Sequence, residues 1–384
     1  MSTNGTNTTN PTPTPVPLPA GDIAWVMAST ALVFLMIPGV GYFYSGMARS
    51  KNALSLIMLS VLSAAVVSFQ WWLIGYSLTF GTATSKYIGS GENAFFMGVD
   101  MTPFSSSVPI PKIAYALYQC MFAAITPALA LGSAAERGRI LPKIIFIFVW
   151  TTLVYDFIAC WSWNPNGWLG VLGALDFAGG TPVHIASGTA ALAYAIILGK
   201  RHGHGANARA AMACAVTNLS AAVAIGIIGA FFCNIAVHLK HIFDFDDALD
   251  VFAVHGVGGV VGNILTGIFA QKSIAALDGV TVIAGGWLDG NFIQLGYQLA
   301  DSAAGMAYSF IMTYIILFIM DKIPGLSLRA DPESEAIGID ESELGELAYY
   351  HIDKIIAVNK LTGETKTVKE ETVLQNNDVN VSIV

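Results

Sequence analysis

Two histidines, His184 and His255, lie inside long uncharged apolar stretches, in GALDFAGGTPVHIASGTAAL and ALDVFAVHGVGGVVG. Each follows a valine and lies downstream of an Ala-Leu-Asp triplet. An imidazole can donate and accept hydrogen bonds and can carry a proton near neutral pH. At membrane depth such a side chain is costly and normally faces a cavity or pathway. Two of them in look-alike segments point to an internal repeat with its binding site at the bilayer midplane, a common transporter plan.

The elements that must hold these histidines are set by composition. The 384 residues are 54% hydrophobic and 11% charged, against roughly 25% charged in soluble domains. Residues 23–48, 53–85, 113–135, 177–199, 210–239, 251–271 and 302–320 contain no Asp, Glu, Lys or Arg. Each window reaches or exceeds the roughly 20 residues that cross a bilayer, allowing for a residue at the ends. A further window, 144–163, is apolar apart from Asp156, for which the sequence offers no account. The fold class expected is all-α: a polytopic helical bundle in the lipid bilayer. The net charge of −8 owes much to a cluster of acids at 331–346. No basic stripe suggests a nucleic-acid partner. Cys120, Cys160, Cys214 and Cys233 all lie in apolar windows without metal-ligand spacing and read as packing residues. No cofactor and no metal are expected.

Along the chain, residues 1–20 are rich in Asn, Thr and Pro and read as disordered. Asn4 and Asn7 begin glycosylation sequons, which matter only if this end is outside. Arg49 and Lys51 follow the first window, Arg137, Arg139 and Lys143 the third, and Lys200, Arg201 and Arg209 the fifth. The loop at 164–180 has no Lys or Arg. The positive-inside rule then places the amino terminus outside and the basic loops in the cytosol. Between the fifth span and the His255 span, the apolar stretch 206–238 would be about 50 Å long as one helix. That is long for one crossing and short for two. One crossing gives eight spans and an extracellular tail; two cramped crossings give nine and a cytosolic tail. Lys322 and Arg329 lean toward a cytosolic tail. Residues 21–322 are the expected membrane domain, incomplete between about 200 and 225, and 323–384 a solvated, mostly disordered tail whose one patterned piece is GIDESELGELAYY.

Several ordered segments closely resemble the ammonium transporter family (Amt/Mep/Rh) in its fungal, Mep-like branch: PGVGYFYSGMARSKNAL, FQWWLIGYSLTFG, QCMFAAITPALALGSAAERGR, ACWSWNPNGW, GALDFAGGTPVHIASGTAALA, DVFAVHGVGGVVGNILTGIFA and GID-x4-GELAY. The resemblance covers about residues 22–350. It implies eleven spans in two inverted five-helix halves plus a long last helix, in a plasma-membrane homotrimer with one pore per subunit. This chain departs from it at Asp156, where the family is normally apolar, and more seriously in length. The family has four complete spans between its histidine helices, and here there is room for one or two. The missing stretch would carry the family's second gate aromatic and a substrate-contacting serine.

The resemblance also implies roles. Trp163 corresponds to the family's recruitment tryptophan, whose indole face attracts a cation by roughly 0.5–2 kcal/mol; by itself it would read as an interfacial anchor. Phe122 matches the pore gate and Tyr118 the mouth one turn outward; four residues apart, they would otherwise read as packing on one helix face. Asp176 matches an aspartate near the entrance that bonds backbone amides. His184 and His255 match the pore pair. Two desolvated imidazoles in contact cannot both be charged cheaply, so they stay neutral or share one proton. His202, His204, His238 and His241 read as solvated loop residues, and Glu136 and Arg137 as caps of the third span.

The leading expectation is an ammonium transporter that recruits NH4+ at Trp163, deprotonates it near Phe122 and conducts NH3 past His184 and His255. The rival is a non-conducting regulatory or sensor subunit, assembled in a mixed trimer with full-length homologues. A membrane enzyme is not expected, because no Ser, Cys or Glu shows nucleophile or metal-site spacing.

Overall fold

The apolar windows become helices because, without water, only intrahelical bonds satisfy a spanning backbone. The computed structural model describes residues 18–82, 85–105, 108–202 and 219–348. The described chain is an all-α bundle with eight helices long and apolar enough to cross a membrane. They are α1 (Ala20–Met47), α2 (Ser50–Phe80), α3 (Lys112–Ala134), α4 (Ile140–Leu172), α5 (Gly180–Leu198), α6 (Ala222–Ile242), α7 (Phe252–Phe269) and α8 (Gln294–Lys322).

Lipid supplies no hydrophobic drive between helices, so small residues and interhelical hydrogen bonds hold such bundles together. Tyr44 donates to the Leu129 carbonyl at 3.0 Å, Ser63 to Ala124 at 2.6 Å and the Trp71 indole to Ala116 at 3.0 Å, tying α1 and α2 to α3. Trp150 donates to Thr313 at 2.8 Å and Ser309 to the Ala186 carbonyl at 2.7 Å, tying α8 to α4 and α5. Asp156, fully buried, accepts from Gln70 Nε2 at 2.7 Å and from Thr79 Oγ1 at 3.5 Å, so it joins α4 to α2.

Both histidines sit in π-helical turns at the starts of their helices, Gly180–Ile185 and Phe252–Val257. Such turns break the regular hydrogen-bond ladder and recur at functional sites. The caps of the two helices are also alike. Asp176 Oδ1 accepts from the amides of Gly179 (2.7 Å) and Gly180 (3.2 Å), and Oδ2 from Thr181 (2.8 Å). Asp247 Oδ2 accepts from Phe252 N at 2.7 Å. Each of these aspartates lies eight residues before its histidine. The Ala-Leu-Asp match pairs Asp176 with Asp250 instead, but Asp250 is bound to Lys240 Nζ at 2.6 Å.

The loop ends converge on one face in an ion-pair lattice. Glu136 takes Arg49 (2.8 Å) and Arg201 (3.1 Å). Asp246 takes Arg201 through two nitrogens, at 2.9 and 3.0 Å, while buried Arg137 donates to the Asp246 carbonyl at 2.6 Å. Burial raises the Asp246 pKa, but the Arg201 hydrogen bonds and the nearby Arg137 charge outweigh it and hold the carboxyl down to about 2. Burial pushes Asp247 the other way, up to about 6, with Asp250 adding to the rise.

This face also receives the chain after α8. Leu328, Ala330 and Ile339 are buried in the main core. Asp340 accepts from the amides of Leu54 and Ser55, each at 2.8 Å, and Glu343 pairs with Arg139 at 3.1 Å. The solvated tail expected from residue 323 is therefore ordered and docked as far as these caps reach. Besides those three scattered apolar side chains, its contacts are carboxylates on helix starts, which leave no apolar run in the sequence.

The topology combines parts of both alternatives. Ile225 packs with Val261 and Leu265, while Ala236 and Val237 pack with Ala253, so α6 is one helix antiparallel to α7. Its C-terminal end and the chain after α8 lie on the face of the basic loops, so the eight-span alternative with its tail on the opposite face does not hold. The described ends on either side of residues 203–218 face opposite sides of the bundle. The second half-segment weighed from sequence, with His204, Arg209 and Cys214, falls outside the described residues.

Candidate functional site

On the face away from the basic loops, α3, α4 and the loop before α5 enclose a cavity of about 190 Å³. Tyr118, Gln119, Phe122, Trp163, Asp176 and Phe177 are among its walls. Helical spacing places Tyr118 and Phe122 on one face of α3, where their rings meet edge-on at 4.9 Å. The Trp163 ring stands 6.2 Å from Phe122, also edge-on. Its indole donates to the Asp176 carbonyl at 3.1 Å, which fixes the ring's orientation at the end of α4. Burial raises the Asp176 carboxyl above its ordinary pKa, against the pull of the three amides it caps. Aromatic faces beside a carboxylate make a chamber suited to a small cation.

Further in, the imidazoles of His184 and His255 bring their Nδ1 atoms to 3.0 Å. The rings are coplanar within 1°, with centroids 5.2 Å apart. At that separation one Nδ1 carries hydrogen and the other accepts it. Two imidazolium ions would set N–H against N–H, so the pair is neutral or holds one proton between its members. The close approach requires glycine. A Cβ on Gly188 would stand 2.1 Å from Gly256 N and 2.5 Å from Gly256 Cα.

A second cavity, about 550 Å³, runs beside the pair between α6, α7 and residues 270–283. His184 and Asp176 line it together with Ile225, Val261 and Asn263. It shares Asp176, Phe177 and Ala178 with the aromatic chamber. Phe177 itself is 83% exposed.

The structure thus brings Tyr118, Phe122, Trp163 and Asp176 around one chamber and His184 and His255 into contact behind it. Among the described residues no group of three or more His, Cys, Asp or Glu could hold a metal. His202 lies beside Glu335 and His238 and His241 at the end of α6, away from the chamber. Sequence reasoning missed Gln119 and Phe177 in the chamber, and a buried cluster of Thr181, Asn263 and Asp301 at the start of α5. Polar residues inside apolar spans were the available signal for that cluster.

The profile of the Ammonium Transporter Family matches residues 24–212 and 208–349, two stretches that meet where the chain is short. Ammonium transporter 1 of Schizosaccharomyces pombe is 46% identical over 412 aligned positions, covering 87% of this chain and 83% of that one. Those 412 positions hold about 334 residues of this chain (87% of 384), so on the order of 78 have no counterpart here. That many residues accommodates two to three spans at ~20 residues each with their loops. The crystal structure of Saccharomyces cerevisiae Mep2 superposes with a TM-score of 0.76 at 34% identity, covering 82% of this chain and 88% of that one. Candida albicans Mep2 gives a TM-score of 0.75 at 38% identity, covering 88% and 92%. The chain belongs to the ammonium transporter family, with part of its second half missing.

Proposed function

We propose that this chain moves ammonium across the plasma membrane, as the names of its relatives suggest. The cation gathers in the aromatic chamber of Tyr118, Phe122 and Trp163 and loses its proton near Phe122, where leaving water disfavours the charged amine. Neutral ammonia then passes the coplanar pair of His184 and His255. The observation that carries this reading is the 3.0 Å Nδ1 contact. Besides giving ammonia a polar foothold in an apolar passage, a shared-proton pair disfavours a second cation beside it, and so rejects potassium. The amino terminus lies outside, the lattice of basic loops faces the cytosol, and the protein assembles as a homotrimer.

One observation favours a second reading. The 550 Å³ cavity opens beside His184, in a chain that lacks on the order of 78 of the positions aligned in a relative. The chain would then be a non-conducting or regulatory subunit in mixed trimers with complete homologues. Expression in cells lacking their own ammonium transporters separates the two. Growth on low ammonium is expected from this chain alone. Surface-localised chain without growth, with altered uptake only beside a complete homologue, would overturn conduction in favour of the second reading.

A further inference from the structure

Where α5, α7 and α8 meet, one carboxylate is out of balance. Asp301 is fully buried, with Thr181 equally so and Asn263 4% exposed. Asp301 Oδ2 accepts from Thr181 Oγ1 and from Asn263 Nδ2, the latter at 3.0 Å. Asn263 Nδ2 also reaches Thr181 Oγ1 at 2.9 Å and Ser302 Oγ at 3.0 Å. Oδ1 of Asp301 has no hydrogen-bond partner among the described residues.

Among the described residues no Lys or Arg bonds Asp301. Within α4, α5, α7 and α8 the Lys and Arg residues are Lys143, in the first turn of α4, and Lys322, 21 residues and so about 30 Å along α8 from Asp301. Among the described residues the titratable group linked to it through a shared partner is Asp176. Thr181 bridges the two carboxylates, giving its N–H to Asp176 Oδ2 and its O–H to Asp301 Oδ2. Two like charges bridged by one threonine disfavour each other, so that one of the carboxyls takes up a proton at least cost. Asp176 accepts from three amides, an arrangement suited to an ion. Asp301, with one bare oxygen, is the member suited to holding a proton.

We propose that Asp301 is a neutral carboxylic acid and the positioning residue that sets the spacing of the two histidine helices. It acts through two contacts, Thr181 on α5 three residues before His184 and Asn263 on α7 eight residues after His255. Gly305 and Ser309, one and two turns along α8, continue the seam. A Cβ on Gly305 would meet Thr181 Cγ2 at 2.4 Å, and Ser309 bonds the Ala186 carbonyl. This deepens the reading of the histidine pair as the ammonia path, yet its test does not require the chain to conduct.

Infrared spectra of purified wild type, Asp301→Asn and Asp156→Asn separate the two buried acids. A carboxylic-acid C=O band assigned to Asp301 is expected at neutral pH, and to vanish in Asp301→Asn. Identical spectra for wild type and Asp301→Asn would overturn its neutrality. Spin labels at Ile196 on α5 and Gly262 on α7 read the spacing. Asp301→Asn, which can still accept both bonds, is expected to keep the wild-type distance distribution, while Asp301→Leu broadens it. If Asp301→Leu does not fold, Asn263→Leu is the deciding variant. An unchanged distribution in the leucine variant that folds would overturn the positioning role, and would do so whether or not uptake is observed.

Discussion

Replacing Gly188 by alanine tests how the histidine pair is held. The added Cβ would lie 2.1 Å from Gly256 N, 2.5 Å from Gly256 Cα and 2.9 Å from the His255 carbonyl carbon. All three are backbone atoms, so no side chain can swing aside. Ordinary contact begins near 3.4 Å, so α5 and α7 must part locally by about 1 Å or more, or the π-turn of His255 must deform. Parting by that amount takes the Nδ1 atoms from 3.0 Å past the ~3.2 Å limit of a good hydrogen bond. Overpacking costs about 1–3 kcal/mol and the lost hydrogen bond about 0.5–1.5 kcal/mol. Thermal unfolding of the purified protein is expected to fall by on the order of 5 °C, at about 2–4 °C per kcal/mol for a large domain. Ammonium uptake is expected to fall with it. Gly262 on the same α7 helix is the control, because a Cβ there meets nothing within 4 Å. If Gly188→Ala melts and transports like wild type, the close approach of the helices does not hold the pair.

Trp163→Ala removes the cation-attracting face and should raise half-saturation for ammonium about 2- to 30-fold, with the maximum rate little changed; a kinetic titration of uptake reads it, and an unchanged half-saturation would count against recruitment there. Asp247, with its pKa raised from 3.8 to about 6, binds a proton more tightly folded than unfolded. Stability is therefore fullest below pH 3.8 for this group and declines as pH rises toward 6, by on the order of 3 kcal/mol at most; Asp247→Asn should flatten that slope in melting curves taken across the window. Arg201→Ala removes the bidentate partner of fully buried Asp246, leaving it the Arg137 cation at 3.9 Å, and should cost up to about 3–5 kcal/mol. Arg49→Ala, whose side chain is 44% exposed, should cost about 0–1 kcal/mol. Equal melting temperatures for those two variants would show that the lattice does not carry the loops.

The histidines were legible because an ionisable group in an uncharged span has few structural excuses, and the surrounding segments are distinctive. Tyr118 and Phe122 followed from helical spacing plus the family motif, and the structure sets their rings edge to edge. Asp156 was visible but unexplained, since its partners Gln70 and Thr79 stand 86 and 77 residues away. The repeat misled at one point. The Ala-Leu-Asp triplets would align Asp176 with Asp250, whereas helix capping depends on distance from the helix start, which selects Asp247. The docked stretch at 328–344 was read as solvated because its anchors are two polar caps, Asp340 and Glu343, and three scattered apolar residues, Leu328, Ala330 and Ile339, with no patterned hydrophobic face. Asp301 sat one residue outside an uncharged window, and only its packing against Thr181 and Asn263 gives it meaning.

The most direct measurement is uptake of labelled methylammonium by cells lacking other ammonium transporters, normalised to surface protein, for wild type, His184→Ala, His255→Ala and the double variant. Saturable uptake by the wild type, lost in each single variant and no lower in the double, is the outcome expected if the two rings act as one unit. Surface-expressed wild type that takes up nothing, or variants that match it, would contradict conduction past the histidine pair.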